Sequence, residues 1–414
     1  MHDRSSEIGI IGAGPAGAHL ASRLATEGRK VSLFDPKGAW EKPCGGGVPT
    51  RAIREFTFLL ENSGYPRKLI RRITMISPLD RRVTLTLDEP FAIYSREVLN
   101  GLVLDRAIEA GARFVREAVT DFIREAGGWT LVTADGSKWP TKFLIGADGA
   151  ASFTRRRLVG IFPKQDLALA FGYNILTEEI ADIPKENGRS NQSPEGSPTD
   201  EVVVRFPKNF TGYLWAFPRP GVMNFGVAAK LGEKSSDELR TLLGDFVSAY
   251  YGGRMPDSTR VSFFGAKIPT LDVASWKDLQ TTGEGWALIG DAAGFADPIT
   301  GEGIYYAFKS ADLFADALRN STADTGSEDD MYKKAVGVYE ESWREAFGRD
   351  LEHASYRLPH FYHGRFFGRI FTDAMIMLAR YHRGVRTILG RALVGEQSYL
   401  TLKRDLIRRA WQIF

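Results

Sequence analysis

Cysteine is almost missing from this 414-residue sequence, which has only Cys44. A single thiol excludes an internal disulfide, a redox dithiol, a four-cysteine zinc site and any cysteine-ligated iron–sulfur cluster. It also points to a reducing, cytoplasmic setting. Long apolar runs are missing as well. The opening MHDRSSEIGIIGAG offers about six apolar residues, too few for a signal peptide. Even FGRIFTDAMIMLARY contains Arg369 and Asp373, so no stretch approaches the roughly twenty apolar residues of a spanning helix. Charge of one sign is scarce overall, with a formal net charge of +3, but it is unevenly spread. Residues 365–414 hold ten Lys or Arg against Asp373, Glu396 and Asp405, a net +7 that leaves −4 for everything before them. Two readings of that tail stay open. It is either a peripheral contact for anionic lipid or a phosphorylated ligand, at roughly 1 kcal/mol per basic residue near a membrane, or a solvated helical face. No nucleic-acid module is recognisable, so no nucleic-acid partner is expected. Internal repeats and heptads are also lacking.

What is present suffices for a sizeable core: 43% of residues are hydrophobic and 25% charged, over a length that suggests two or three domains. Residues 7–12 read as a buried strand, 15–28 as a helix and 30–35 as a second strand, the βαβ opening of a doubly wound α/β sheet. TDFIREA, GWTLVTA and SKWPTKFLIGADG follow as a meander joined at Gly127-Gly128 and Asp135-Gly136. From about 165 to 270 the chain turns β-rich, with FGYNILTE, EVVVRFP, GYLWAFP, VMNFGVAAK and RVSFFGAKIP as strands of one sheet. IPKENGRSNQSPEGSPTD between them reads as an exposed loop, as does NSTADTGSEDD near 325. The expected division is 1–164 and 271–330 as two parts of a Rossmann-like domain, 165–270 as a β-rich substrate domain and 331–414 as a helical C-terminal region.

The first motif with chemical content is Gly12-Ala13-Gly14-Pro15-Ala16-Gly17, placed where a strand ends and a helix begins. Glycines there permit a tight turn and let a pyrophosphate approach amides at a helix N-terminus, where the dipole favours negative charge. Asp35 ends the next strand, 18 residues after Gly17, where its carboxylate suits an adenosine ribose. The register of strand, helix and distal acid favours dinucleotide binding over a simple glycine-rich turn.

Two later segments resemble the signatures of flavoprotein hydroxylases and their relatives: Phe143-Leu144-Ile145-Gly146-Ala147-Asp148-Gly149-Ala150 and Trp286-Ala287-Leu288-Ile289-Gly290-Asp291-Ala292-Ala293. That resemblance implies FAD, with Gly290 and Asp291 at the ribityl chain, and Gly301, Gly303 and Ile304 opening a helix aimed at the isoalloxazine. A helix N-terminus suits the negative charge of reduced flavin. The resemblance also brings Arg96, Val119 and Asp148 into the cofactor set. For Asp148 the alternative is a turn residue, and for Arg96 a surface cation.

Pro43-Cys44-Gly45-Gly46-Gly47-Val48-Pro49 and Tyr213-Leu214-Trp215-Ala216-Phe217-Pro218 resemble the geranylgeranyl reductase family, FAD-dependent enzymes that saturate isoprenoid double bonds. With the flavin motifs the likeness covers about residues 7 to 320, and Gly395-Glu396-Gln397-Ser398-Tyr399 is a looser echo. One departure is Gly226-Val227-Ala228, where the family often has Gly-x-Gly. The resemblance places Cys44, Gly45 and Gly46 by the flavin and makes Cys44, Tyr213 and Trp215 the catalytic set. Within that resemblance Cys44 suits substrate contact or redox sensing better than nucleophilic attack. On a strand, Tyr213, Trp215 and Phe217 share a face, to line an apolar slot for a prenyl chain or to fill a core.

The implied reaction is hydride transfer from reduced FAD to an isolated alkene carbon, with protonation of the other carbon by Tyr213 or a bound water. No second strand-associated GxGxxG is present, so electrons come from transiently docked NAD(P)H or another reduced carrier. The substrate is an isoprenoid or prenylated lipid: a prenyl diphosphate, an ether lipid, a chlorophyll-type tail or a quinone side chain. The rivals are a monooxygenase (hydroxylase), a halogenase, the latter resembling Trp-x-Trp-x-Ile-Pro where this chain has Tyr-x-Trp-x-Phe-Pro, a quinone-reducing electron-transfer relative, and a redox-inert FAD-bound membrane or interaction protein. His353, His360 and His363 read as structural or surface residues, and no metal site is expected.

Overall fold

The computed structural model describes residues 4–176, 200–257, 261–322 and 326–410. They form two compact units, each assembled from separated stretches of chain. The first takes residues 1–42, 96–166 and 268–352, and the second 43–95, 167–267 and 353–414.

In the first unit, strand Ser6–Ile11 sits between the parallel strands Val31–Phe34 and Lys138–Gly146. Arg113–Val115 extends the sheet on one side, and Trp286–Leu288 followed by Thr282–Gly283 on the other. The central strand reads as a nearly continuous apolar run because both its faces are covered, and Ile8 and Ile10 are fully buried. Strands Val119–Glu125 and Gly128–Thr133 form the expected meander into Lys138–Gly146. Helix Pro15–Thr26 begins with proline at its first position, where a missing N–H costs nothing. It is tied to helix Ile304–Thr322 by His19 and Arg23, which reach Asp312 at 2.9 and 2.5 Å, and by Arg23 to Asp316 at 2.9 Å. Burial alone would raise the Asp312 carboxyl, but the bonds and charges of His19 and Arg23 outweigh it and hold it below its ordinary value. Helix Glu328–Trp343 closes the same unit, stacking Tyr332 on Phe143 at 4.9 Å and donating from the Tyr339 hydroxyl to Leu288 O at 3.0 Å.

The second unit is built on one eight-stranded sheet, in the order Val261–Pro269, Leu167–Leu176, Val222–Lys230, Gly212–Arg219, Glu201–Arg205, Arg67–Ile76, Arg82–Tyr94 and Gly47–Val48. One face, with Leu214, Ala216, Phe225 and Val227, packs on helix Ser236–Tyr250 through Leu239, Leu243, Phe246 and Val247. Ser235 and Glu238 form a reciprocal capping box at that helix's start. Helices Phe371–Tyr381 and Arg383–Leu393 pack against strand Arg82–Tyr94.

The division differs from the one expected at three places, one being that residues from 353 onward join the second unit instead of forming a separate helical region. Residues 43–95 join the second unit, because Arg67–Ile76 pairs in parallel with Glu201–Arg205. Alternating polarity marks such strands but cannot name a partner more than a hundred residues away. Residues 331–352 belong to the first unit, since their helix covers its sheet. The loop expected near 325 is shorter than its composition suggests, as helices reach Thr322 and resume at Glu328. The expected loop over 183–200 lies outside the described residues except for Asp200.

Candidate functional site

The glycine motif of the first unit has the geometry its residues imply. Gly12 has φ +103°, and a Cβ there would lie 2.5 Å from Ala147 O. One on Gly17 would fall 1.9 Å from Gly12 O, so both positions demand glycine. A Cβ on Gly14 would meet nothing within 4 Å, leaving the side of the turn at the helix N-terminus open to a ligand. Asp35 braces the turn: one oxygen accepts from Ala13 N at 3.0 Å, the other from Lys37 N and Gly38 N at 2.8 and 3.0 Å.

Gly290, at φ +58°, packs closely on Ala16, where its added Cβ would come within 2.9 Å of the alanine methyl. Asp291 follows on a single helical turn, and its Oδ2 accepts from Lys42 Nζ at 3.3 Å. A Cβ on Gly303 would lie 2.9 Å from Asp291 Oδ1, so this glycine keeps the carboxylate clear. Gly301 adopts φ +69°, and Asp297 shapes the same turn by accepting from Ile299 N at 2.8 Å and Thr300 N at 3.2 Å. Ile304 then opens the helix, with Glu302 accepting from Tyr305 N at 2.7 Å. Val119 begins its strand opposite Thr133, half-buried.

Arg96 is a buried cation, not a surface one, at 5% exposure. It opens helix Arg96–Glu109, whose first N–H groups are accepted by Glu41 at 3.2 and 3.1 Å. Its Nη2 donates to Asn100 at 3.3 Å, while its Nε is buried without a partner among the described residues. Such a donor is costly unless an acceptor is supplied, and a bound flavin dinucleotide offers several. The Asp148 side chain is engaged within its own turn. Its carboxylate accepts from Ser152 Oγ and, at 2.9 and 3.1 Å, from Thr154 N and Oγ1, so it caps the start of helix Phe153–Leu158. Burial raises its pKa in spite of those bonds.

In the second unit, Cys44 is a half-buried free thiol whose Sγ accepts from Gly46 N at 3.3 Å. The glycines after it pack closely against two phenylalanine rings. Added Cβ atoms would lie 2.9 Å from Phe217 at Gly45 and 2.5 Å from Phe91 at Gly47. Gly46, at φ +79°, is pressed against Tyr94 O. Arg219, only 4% exposed, holds this loop by donating to Cys44 O and, at 3.3 Å, to Gly45 O.

Tyr213, Trp215 and Phe217 share the face opposite Leu214 and Ala216, as a strand requires. Ring centroids run from Phe206 to Tyr213 at 6.4 Å, to Trp215 at 5.8 Å, to Phe217 at 6.2 Å and to Phe91 at 6.1 Å. Trp215 is the buried floor of this row, whereas Tyr213 and Phe217 are half-exposed. Its Nε1 donates to Asn224 Oδ1 at 2.7 Å, and Asn224 Nδ2 donates to Asn174 Oδ1 at 2.7 Å. The departure at Gly226-Val227-Ala228 has a physical account. Gly226 lies opposite Trp215 and Ala228 opposite Tyr213, and only the first is overlain by an indole, with 2.0 Å from an added Cβ to Cζ2. Gly395 packs against Pro49 and Arg51, and Glu396 pairs with Arg54 at 2.7 Å, so the C-terminal motif sits beside the segment following Cys44.

His363 Nε2 contacts Thr211 Oγ1 at 2.7 Å, His360 packs on Phe371 at 4.9 Å and His353 accepts from Arg357 at 3.2 Å. No group of three His, Cys, Asp or Glu poised for a metal occurs among the described residues. Lys42, Arg219, Asn224 and Asn174 were not singled out in the sequence. Arg219 directly follows the aromatic motif, but the partners of all four are set only by folding.

The FAD binding domain family matches residues 5–184. The geranylgeranyl diphosphate reductase of Rhodobacter capsulatus is 30% identical over 318 residues, covering 74% of this chain and 73% of that protein. The digeranylgeranylglycerophospholipid reductase of Methanocaldococcus jannaschii is 24% identical over 97% of this chain and 95% of its own. The structure of a geranylgeranyl bacteriochlorophyll reductase-like protein from Thermoplasma acidophilum superposes with a TM-score of 0.71 at 19% identity, covering 98% of this chain and 95% of that one. The open glycine turn, the cleared Asp291 carboxylate and the unpartnered Arg96 Nε fit FAD, and with these likenesses the chain belongs to the geranylgeranyl reductase family, FAD-dependent oxidoreductases acting on carbon–carbon bonds.

Proposed function

We propose that this enzyme saturates double bonds of a geranylgeranyl or other polyprenyl chain, and that the aromatic row of the second unit is where the chain lies. The supporting observation is Trp215: its one polar atom is spent on Asn224 at 2.7 Å, so the indole is fixed in place without offering its N–H to a ligand. A prenyl chain has almost nothing to hydrogen-bond, and its affinity rests on buried area at about 25 cal/mol per Å² before ordering costs. A row of rings between Phe206 and Phe91 meets that need.

Reduced FAD, when bound, supplies the hydride. The residues of the chain do the remainder. Gly12, Gly14 and Gly17 admit the pyrophosphate, Asp35 braces that turn, and Asp291 and Arg96 orient the cofactor. Tyr213, Trp215 and Phe217 hold the alkene and exclude water, and Arg219 holds the Cys44 loop beside Phe217. Hydride adds to one alkene carbon and a proton to the other, delivered by the Tyr213 hydroxyl or a water. Each bond reduced therefore adds two hydrogens. NAD(P)H or another reduced carrier restores the reducing equivalents.

The test is anaerobic. The purified protein is reduced, mixed with geranylgeranyl diphosphate or a prenylated lipid, and followed by flavin absorbance and mass spectrometry. Reoxidation with +2 Da products is expected. A flavin that stays reduced without oxygen, with +16 Da products appearing only in air, would replace this reading with a hydroxylase.

A further inference from the structure

The structure carries a feature the catalytic reading leaves unused. Between helices Arg349–His363 and Phe371–Tyr381 the chain makes a six-residue hairpin, Arg365–Phe366 paired with Arg369–Ile370. Its base is closed by Phe371 N donating to Gly364 O at 2.9 Å, and its tip by Arg365 Nη1 donating to Gly368 O at 3.2 Å. Residues 365–369 are all exposed, and Phe367 is 91% exposed, with φ +48° turning it outward next to Phe366. The two rings lie 4.6 Å apart. A braced hairpin that presents Phe367 almost fully to solvent between two arginines, with Phe366 partly covered beside it, offers an outward apolar tip.

Helix Tyr399–Ala410 repeats the composition. Its exposed residues Leu400, Lys403, Arg404, Ile407 and Arg408 follow the i, i+3, i+4, i+7, i+8 spacing of one face. Asp405, its one acidic residue, is turned to Gln397 and Thr401, which donate to it at 2.9 and 2.6 Å. The helix thus shows outward apolar side chains interleaved with cations and no exposed anion.

We propose that hairpin Arg365–Ile370 and the outer face of helix Tyr399–Ala410 dock this enzyme on an anionic lipid bilayer. Aromatic rings at the headgroup boundary, with arginines reaching lipid phosphates, are what such a surface accommodates. Charge complementarity selects the bilayer over a second copy of the chain. Residues 365–414 carry a net +7, and a like surface would repel them. The inference rests on the polyprenyl-lipid reading only for its purpose, since a long apolar substrate resides in membranes.

The test separates the two. Holoenzyme is sedimented with vesicles of phosphatidylcholine alone or of phosphatidylcholine mixed with the anionic lipid phosphatidylglycerol, and turnover is measured separately on detergent-dispersed substrate. Binding is expected only to the anionic vesicles, weakened about fivefold for each cation lost. Phe366→Ser with Phe367→Ser, and separately Lys403→Gln with Arg404→Gln, lower it at least tenfold while detergent turnover stays at the wild-type rate. Equal binding by wild type and both double variants, or concentration-dependent dimerisation that the phenylalanine changes abolish without vesicles, would overturn the proposal. Failure of any prenyl substrate to oxidise the reduced flavin, with vesicle binding intact, would instead sink the substrate reading.

Discussion

Replacing Gly226 by alanine puts a methyl where the Trp215 ring lies. The added carbon would stand 2.0 Å from Cζ2 and 2.4 Å from both Cε2 and Cη2. Carbon atoms pack at about 3.5–4.0 Å, so the indole must retreat by roughly 1.5 Å. Its N–H cannot move that far and keep a 2.7 Å bond to Asn224, which is itself fully buried. Overpacking costs about 1–3 kcal/mol, and stranding the indole N–H and the amide about 1–3 kcal/mol more. A loss of about 2–6 kcal/mol is expected, measured by urea unfolding followed by far-ultraviolet circular dichroism. The control is the same change in a Trp215→Leu background. There the clash is gone, and alanine in a strand is worth up to about 0.5–1 kcal/mol more than glycine. Flavin content stays at the wild-type level, because no residue of the glycine cradle changes. A Gly226→Ala cost below about 0.5 kcal/mol, or an equal cost in both backgrounds, would refute the claim that Gly226 exists to seat Trp215.

Three further outcomes follow from the same geometry. Arg219→Leu removes the donors to Cys44 O and Gly45 O and should cost about 2–4 kcal/mol with loss of turnover, whereas Arg219→Lys recovers part of each in denaturation and flavin-reoxidation assays. Cys44→Ser keeps an acceptor for Gly46 N, so stability should change by less than about 1 kcal/mol; a changed reoxidation rate in stopped flow would then report a direct role for the thiol. Asp312 has a folded pKa below its ordinary value, so its stabilisation is present above the unfolded carboxylate pKa and is lost as pH falls through the folded one. Wild type should therefore exceed Asp312→Asn in melting temperature at neutral pH, with the gap closing under acid; a gap constant with pH would contradict the assignment.

Local chemistry made much of this molecule legible in advance. Glycine spacing, Pro15 and the apolar strands around them encode a βαβ unit through short-range sterics, and a strand's period of two put Tyr213, Trp215 and Phe217 on one face. The two motifs around Asp148 and Asp291 are likewise local, since each is a short turn between a strand and the helical segment that follows it. Folding alone decided what joins distant residues. It placed strand Arg67–Ile76 beside Glu201–Arg205 and helix Glu328–Trp343 on the first unit's sheet. It matched Lys42 to Asp291 and Arg219 to the Cys44 loop. Periodicity states which way a side chain faces, while its partner across the sheet or the core depends on how the whole chain buries its apolar surface.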